Sequence, residues 1–250
     1  MSESRDAGSR TLARGLAILR LFNDEQPELT QSEIAEALGV PLPTIHRLCA
    51  TLVSEGFLVR PAGTRTLRLG PQIMRMVGPV VQGMGMTEAA RAMLRRLAEE
   101  TGETANLATL VQSEVVYLDS APGRHMLSPR AEAGLRVPAH CTALGKCLLA
   151  QLPDEEVLKL VGKGPYERRT DETRTNWPQL RKALDDVRAS GLSRSIEEYE
   201  VGLVSFAAAL PPALDGSQFG INISLPVTRA AAEPDIAHRL RDAAAVLGRY

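Results

Sequence analysis

The fold of this chain is decided by residues 29–48, which read LTQSEIAEALGVPLPTIHRL. Thr30 followed by Glu33 is the capping-box pattern that begins a helix, and Gly39 can adopt the positive φ that ends one. Two prolines come next, and because proline suits only the first turn of a helix, a second helix is predicted to begin near Pro43. The stretch therefore predicts two short helices joined by a Gly-centred turn, as in a helix-turn-helix.

The second helix of this pair has an apolar and a polar face. The apolar positions repeat at helical spacing and are predicted to face inward: Ile45, Leu48, Cys49 and Leu52. The polar side chains near its start remain outside or at the edge, as in a helix that enters the major groove of DNA: Thr44, His46 and Arg47. A helical hairpin without a nucleic-acid partner explains the apolar positions equally well, so both interpretations remain open on this stretch alone.

The flanking sequence extends the pair to a winged helix-turn-helix. A helix is predicted upstream over about residues 11–23, with an apolar stripe of three leucines, Leu12, Leu16 and Leu19, and with Ile18 and Phe22 at one edge of the stripe. Downstream, strands predicted at 57–60 and 64–69 form a hairpin around a Pro- and Gly-containing turn. This order of elements favours DNA binding more strongly than the helix pair alone.

The distribution of charge says more than its sum. The net charge of −1 does not indicate a nucleic-acid partner, but residues 56–87 contain four arginines and no acidic residue. Further arginines lie upstream at positions 5, 10, 14 and 20. Basic residues therefore flank the helix-turn-helix, as expected of a DNA-binding face. An ordinary solvated surface is the alternative explanation.

The whole chain has 250 residues, which is long enough for two domains of typical size. No run approaches the length of a membrane span, and the N-terminus has no signal-peptide apolar region. The three cysteines show no CxxC spacing, which fits a reducing compartment and argues against a structural zinc site. We therefore expect a cytoplasmic protein without a membrane partner.

An enzyme is disfavoured by the available residues. His140 and Cys141 are adjacent, and neighbours on a strand or helix point apart, which suits a nucleophile and its base poorly. The chain has no Gly-rich phosphate loop and no zinc-ligand spacing. We expect neither catalytic activity nor a cofactor.

The second half of the chain mixes helices and strands. After a predicted helix at 87–100, strands are predicted at 106–111, 114–119, 192–196, 204–209 and 220–225. Further helices are predicted at 143–152, 155–161, 178–190 and 232–247. The mixture indicates an α+β sensor module of the GAF or PAS sort.

The predicted fold class is α+β, with three parts. An N-terminal winged helix-turn-helix (residues 8–70) is joined by a linker helix (71–86) to a GAF-like α/β effector-binding and oligomerisation domain (87–250). Within the linker, the Gly78-Pro79 and Gly83 breaks are candidate hinges.

Six segments resemble the IclR-type (isocitrate lyase regulator) family of bacterial transcription factors, in order and at the expected spacing. Residues 14–19, 29–57 and 67–71 look like the family's first helix, its helix-turn-helix and the end of its wing. Three later segments are similar to its effector-domain signatures: 99–108, 140–146 and 197–203. The resemblance implies a transcriptional regulator, a repressor or an activator, whose affinity for double-stranded DNA is modulated by a small organic-acid effector.

The expected DNA contacts are of two kinds. Residues of the helix pair are expected near bases and adjoining backbone: Ser32, Thr44, His46 and Arg47. Arginines of the first helix and the wing are expected on phosphates: Arg10, Arg14, Arg65 and Arg68. Where the family often has a basic or small polar residue, this chain has Leu42 and Pro43. The resemblance also implies dimers, or dimers of dimers, on a palindromic operator.

The expected effector site combines a helix start with strand residues. Free backbone N–H groups at Ala143, Leu144 and Gly145 could attract an anion. The resemblance adds positions that match pocket residues of the family: Ser195, Leu203, Ser205, Asn222 and Ser224. The implied ligand is a small carboxylate or an aromatic acid. A packed helix start, with strand hydroxyls bonded to nearby backbone, is the alternative for each residue.

A second class of function also fits the sequence. A winged-helix protein-interaction adaptor with a small-molecule sensor domain would show the same order of elements. Salt-sensitive binding to DNA upstream of its own gene would separate the two.

Overall fold

The computed structural model describes residues 6–23, 26–76, 88–126, 128–129, 131–211 and 217–247. These fall into two compact units, one on each side of residues 77–87. Residues 72–76 are helical, as predicted for the start of the linker. The remainder of the predicted linker helix, with both candidate hinges, lies outside the described residues.

The described part of the first unit contains three helices, apart from the helical residues 72–76, and a small sheet. The helices are α1 (Asp6–Arg20), α2 (Gln31–Leu38) and α3 (Leu42–Ser54). The strands β1 (Leu29–Thr30), β2 (Leu58–Val59) and β3 (Thr66–Leu69) pair antiparallel in the order β1-β3-β2. The hairpin of β2 and β3 is the predicted wing, whereas β1 was not predicted.

The predicted ends of α2 are confirmed. The Thr30 hydroxyl accepts a hydrogen bond from the Glu33 N–H at 3.3 Å, and the Glu33 carboxylate accepts one from the Thr30 N–H at 2.7 Å. Gly39 has φ of 61° and ends the helix, while the N–H of Val40 donates back to the carbonyl of Ala35 at 3.1 Å. The turn is therefore fixed by the local rules that predicted it.

The inner face of α1 is centred on the edge of the predicted stripe, so the prediction is wrong for Leu12 and Leu16 only. Ile18 and Phe22 are buried in the core of this unit and Leu19 packs against it, whereas Leu12 and Leu16 are exposed. At about 100° per residue, the leucine stripe lies about a quarter turn away from the buried pair. Helical periodicity finds the apolar side of a helix, but α1 has enough apolar residues for two directions, and only one of them meets α2 and α3.

The second unit is a six-stranded antiparallel sheet with five helices in its described part. Its strand order is β6-β5-β4-β9-β8-β7. The strands are β4 (Thr104–Val111), β5 (Glu114–Ala121), β6 (Arg136–Pro138), β7 (Ser193–Ile196), β8 (Leu203–Ala209) and β9 (Phe219–Pro226). The helices are α4 (Glu88–Thr101), α5 (Ala143–Leu149), α6 (Asp154–Val161), α7 (Trp177–Ser190) and α8 (Glu233–Leu247). Short 3₁₀ turns lie at Ala139–Cys141 and Val227–Ala232.

Helices cover both faces of this sheet, because alternate strand residues point to opposite sides. Leu107, Phe206 and Ile221 pack with apolar residues of α4 and α8. Ala108 and Ala207 pack on the other face with residues of α5, α6 and α7. The second face also carries the polar residues that form a cavity.

Candidate functional sites

The start of α3 presents polar side chains on an apolar base. Ile45 and Cys49 are fully buried in the first unit and Leu48 packs against its core, so the two polar residues that follow Ile45 are turned outward. His46 and Arg47 are exposed, and Thr44 is half-buried. Ser32 is exposed on α2. This is the arrangement in which a helix can enter the major groove with its first turns.

The wing carries the predicted arginines on its surface. Arg65 and Arg68 are exposed, at the turn and on β3. The Arg60 guanidinium donates to the backbone carbonyl of Arg65 at 3.4 Å, which ties it across the hairpin. Arg10 and Arg14 are exposed on α1. All eight predicted DNA-binding residues therefore lie in the first unit, with side chains that are exposed or half-buried.

An apolar groove also opens on the first unit. It has a volume of about 440 Å³ and runs between α1 and α3. Its walls include the exposed Leu12 and Leu16 together with Leu48, Leu52 and Phe57. The leucines that the sequence placed in the core therefore form one wall of this groove.

A cavity of about 490 Å³ lies in the second unit, on the sheet face that carries α5. Its floor is formed by β4, β5, β7, β8 and β9, its end by the start of α5, and its rim by residues near 126–135 and 199–203. The lining residues are Asn106, Tyr117, Met126, Ser128, Pro129, Ala131, Leu135, Val137, Thr142, Ala143, Ser195, Tyr199, Glu200, Val201, Gly202, Leu203, Ser205, Asn222, Ser224 and Pro226.

A buried hydrogen-bond network forms the polar floor of this cavity. The Asn106 amide donates to Asn222 Oδ1 at 2.8 Å, and the Asn222 amide donates to Ser224 Oγ at 2.9 Å. The hydroxyls of Ser224 and Ser205 lie 2.8 Å apart, and Ser195 donates to the carbonyl of Cys141 at 3.0 Å. Cross-strand register makes this possible, since Ser205 is directly opposite both Ser195 and Ser224.

The structure brings together six of the eight predicted effector residues in this cavity and places two elsewhere. Leu144 is buried in the core between the sheet and α5. Gly145 packs against backbone, since a Cβ there would lie 2.1 Å from the Ala139 carbonyl oxygen, and its N–H donates to the Thr142 hydroxyl at 3.1 Å. The predicted row of free N–H groups is therefore partly occupied by the helix cap, and Leu144 and Gly145 do not line the cavity.

Several residues that line the cavity were not predicted from the sequence. Asn106 was missed although it interrupts an apolar strand, and this polar interruption was the signal that could have found it. Tyr117 has no such signal, because tyrosine is common in strands. Burial raises the pKa of Tyr117 to about 12, so its phenol is neutral and can donate a hydrogen bond at physiological pH.

The cavity is polar but almost uncharged. Among its described lining residues only Glu200 carries a charge, and it is exposed at the rim. A ligand inside would meet hydroxyl and amide groups on the floor and apolar groups such as Leu135, Val137 and Leu203 on the walls. This combination suits a small, partly apolar molecule with one or two hydrogen-bonding ends.

A buried ion pair lies beside the cavity. The Lys146 ammonium contacts the Glu198 carboxylate and donates to the Arg194 carbonyl at 2.6 Å, and Arg174 contacts the same carboxylate. Burial lowers the pKa of Lys146 to about 8, against the opposite effect of Glu198. The pair joins α5 to the segment that continues into the rim at Tyr199.

His140 and Cys141 do not form an activated pair. The His140 ring nitrogen lies 3.0 Å from the Glu167 carbonyl, and burial lowers the pKa of the ring. Burial raises the pKa of the Cys141 thiol to about 12, which disfavours a thiolate. The described residues contain no group of three side chains suited to a metal ion. Across the same residues, no helix is long and apolar enough to span a membrane.

A winged helix-turn-helix unit together with a cavity-bearing sensor unit defines a ligand-responsive DNA-binding regulator. Comparison with known proteins supports this class of protein. Residues 11–62 match the IclR helix-turn-helix domain, and residues 78–249 match the bacterial transcriptional regulator IclR C-terminal domain. The chain belongs to the IclR family of transcriptional regulators.

Individual relatives support this assignment over most of the chain. The transcriptional repressor IclR of Escherichia coli is 30% identical over 222 residues, covering 88% of this chain and 81% of its own. A putative IclR transcriptional regulator from Silicibacter has a TM-score of 0.88 at 27% identity, covering 96% of this chain and 95% of its own. An IclR homologue from Microbacterium hydrocarbonoxydans, complexed with 4-hydroxybenzoate, has a TM-score of 0.73 at 25% identity, covering 96% and 98%.

Proposed function

We propose that this regulator binds a palindromic operator as a homodimer, or as a dimer of dimers, and that a small aromatic or aliphatic carboxylate in the cavity changes its operator affinity. The observation that carries the proposal is the cavity of about 490 Å³ with a neutral hydrogen-bonding floor. The protein acts in the cytoplasm, where its DNA lies. Its working parts are the winged helix-turn-helix (8–70), the linker (71–86) and the effector domain (87–250).

The DNA contacts divide by side-chain type. Arg47 and His46, on the exposed start of α3, are suited to base edges, with Ser32 and Thr44 beside them. The arginines of the wing and of α1 are suited to phosphates: Arg10, Arg14, Arg65 and Arg68. Phosphate contacts position the protein, and α3 supplies the sequence preference.

The composition of the cavity indicates the chemical class of the effector. Its volume falls within the range of about 300–1,000 Å³ usual for small-ligand sites. Since its described lining includes no cation, we propose that hydroxyl and amide donors hold the ligand's carboxylate, with Asn222, Ser205 and Ser224 at the floor. The apolar walls favour a ring, as in the 4-hydroxybenzoate bound by the Microbacterium homologue.

Pairing of two copies is favoured by the groove on the first unit. Leu12 and Leu16 are exposed there, on the side of α1 that is turned away from the core. A palindromic operator presents its two halves to two copies of the same reader, and pairing adds affinity that one helix cannot supply. We propose that the groove between α1 and α3 packs against the same groove of a second copy.

The experiment measures operator affinity with and without acids. A duplex selected from a random-sequence pool by the full-length protein is titrated by fluorescence anisotropy, with 4-hydroxybenzoate and a panel of benzoates and short-chain carboxylates. At least one acid should change the affinity about 5- to 150-fold, the range of typical allosteric coupling. Asn222→Ala should abolish that change while binding the duplex normally in the absence of acid.

The matched control is Thr109→Val, which removes a buried hydroxyl from β4 outside the cavity, where it donates to the Gln218 carbonyl at 2.7 Å. This variant should keep the response. If no acid of the panel shifts either the melting temperature or the operator affinity, the assignment of the cavity is wrong.

A further inference from the structure

The first turn of α3 carries an exposed apolar surface. Pro41, Leu42 and Pro43 are all exposed, and Leu42 keeps 38% of its surface in contact with solvent. The apolar core of the first unit, built around Ile18 and Ile45, does not include Leu42 among its described members. An exposed leucine at this position is therefore not explained by the packing of the unit itself.

This apolar surface lies on the same helix face as the polar reading residues. Residues four apart are neighbours on a helix, so Leu42 adjoins His46 and Pro43 adjoins Arg47. In helix-turn-helix proteins, the N-terminal residues of the second helix are those that contact base edges. Leu42 is thus placed where a base edge would lie against it.

Only one feature of the major groove is apolar. Each base presents hydrogen-bond donors or acceptors there, and thymine alone adds a methyl group at C5. A donor or acceptor desolvated against leucine would lose its partner, whereas the thymine methyl gains by being buried. We propose that Leu42 contacts a thymine C5-methyl group and thereby specifies thymine at one position in each half of the operator. The inference rests on the proposed reading of DNA by α3.

The position of this thymine follows from helix geometry. Four residues of α-helix, from Leu42 to His46 or from Pro43 to Arg47, advance about 6 Å. Base pairs are spaced about 3.4 Å apart. The thymine therefore lies one or two base pairs from the base that His46 or Arg47 contacts.

The test removes the methyl group without changing base pairing. The probe is the duplex selected from a random-sequence pool by the full-length protein. Each thymine is replaced in turn by deoxyuridine, and the affinity is measured by anisotropy. One thymine per half-site should show a loss of about fourfold, the factor expected for one buried methyl-sized group. In Leu42→Ser, affinity for the parent duplex should fall by a similar factor, and replacement of that thymine should have no further effect.

The matched control is Val53→Ser, in the last turn of the same helix. Val53 is 37% exposed, almost the same as Leu42, but lies three turns from the reading end. This variant should keep the full sensitivity to the methyl group.

Three outcomes would contradict the inference, and they are distinguishable. If a specific duplex is selected but no thymine is methyl-sensitive, the thymine contact is wrong while the reading of DNA stands. If Leu42→Ser keeps the sensitivity, another residue makes the contact. If selection yields no sequence preference, the proposed DNA reading by α3 fails together with this inference.

Discussion

The start of α3, whose exposed residues Leu42, His46 and Arg47 form the reading surface, and the effector cavity are built in opposite ways. The reading surface comes from one continuous stretch, and its residues are exposed because their neighbours on the same helix are buried. The cavity takes residues from all six strands of the sheet and a helix start, which are distant in sequence. A change on the reading surface should therefore alter binding and leave stability intact. A change beside the cavity should alter the packing of elements that only the folded chain brings together.

The largest expected effect lies beside the cavity. Glu198→Gln removes the carboxylate that neutralises the buried Lys146. Removing one partner of a buried ion pair leaves the other charge uncompensated and destabilises by about 3–5 kcal/mol. Urea unfolding followed by the fluorescence of Trp177, the only tryptophan, reports on the second unit. Glu197→Gln is the control, because its half-buried side chain accepts a hydrogen bond from the Gly202 N–H, which glutamine can also do.

The pH dependence of the stability of Glu198→Gln tests whether the charge of Lys146 causes the loss of stability. Glu198 raises the pKa of Lys146, so without it that pKa falls further below its present value of about 8. At pH 9 the folded variant then holds a neutral amine, while the unfolded chain still binds the proton with the ordinary pKa of 10.5. Unfolding therefore takes up a proton, and stability rises with pH in this window. The deficit relative to the unmodified protein should shrink between pH 7 and pH 9; an unchanged deficit would exclude the buried charge as its cause.

On the reading surface, the largest effect is expected from Arg47→Ala. Loss of a bidentate base contact removes about 1–3 kcal/mol of discrimination, which is about 5- to 150-fold in affinity for the selected duplex. The unfolding curve should not move, because Arg47 is exposed. Arg168→Ala, an exposed arginine of the second unit, should bind normally. Equal losses on the selected duplex and on a scrambled one would assign Arg47 to phosphate rather than to a base.

The same contrast explains what the sequence could predict. Thr30, Glu33 and Gly39 fix the helix pair through contacts within a few residues, so its ends were predicted closely. The wing was predicted for the same reason, since its two strands are neighbours in the chain. The short strand β1 was missed because its two residues become a strand only by pairing with β3.

The cavity could be predicted only as a list of separate positions. Ser195, Ser205 and Ser224 meet because three strands pair in one register, and a slip of one residue would turn a serine to the opposite face. Leu144 and Gly145 were assigned to the cavity because they begin a helix. Packing decides otherwise: Leu144 fills the core, and Gly145 allows the close approach of Ala139. The register of distant strands and the direction of a buried side chain are not determined by local pattern.

The smallest expected effect distinguishes phosphate contacts, which position the protein, from base contacts, which give sequence preference, within the DNA-binding residues of the first unit. Arg65 lies at the exposed turn of the wing, and a phosphate is the partner that an arginine there would meet on any sequence. Each phosphate that the protein neutralises steepens the slope of log affinity against log salt by about 0.9, so the loss of one phosphate contact makes the slope shallower by that amount. Arg65→Gln should therefore lower the slope by about that amount on selected and scrambled duplexes alike, whereas Arg47→Ala should act mainly on the selected one. Arg168→Gln should leave the slope unchanged. A sequence-dependent loss at Arg65 would mean that the wing reads bases, and reading would then no longer be confined to α3.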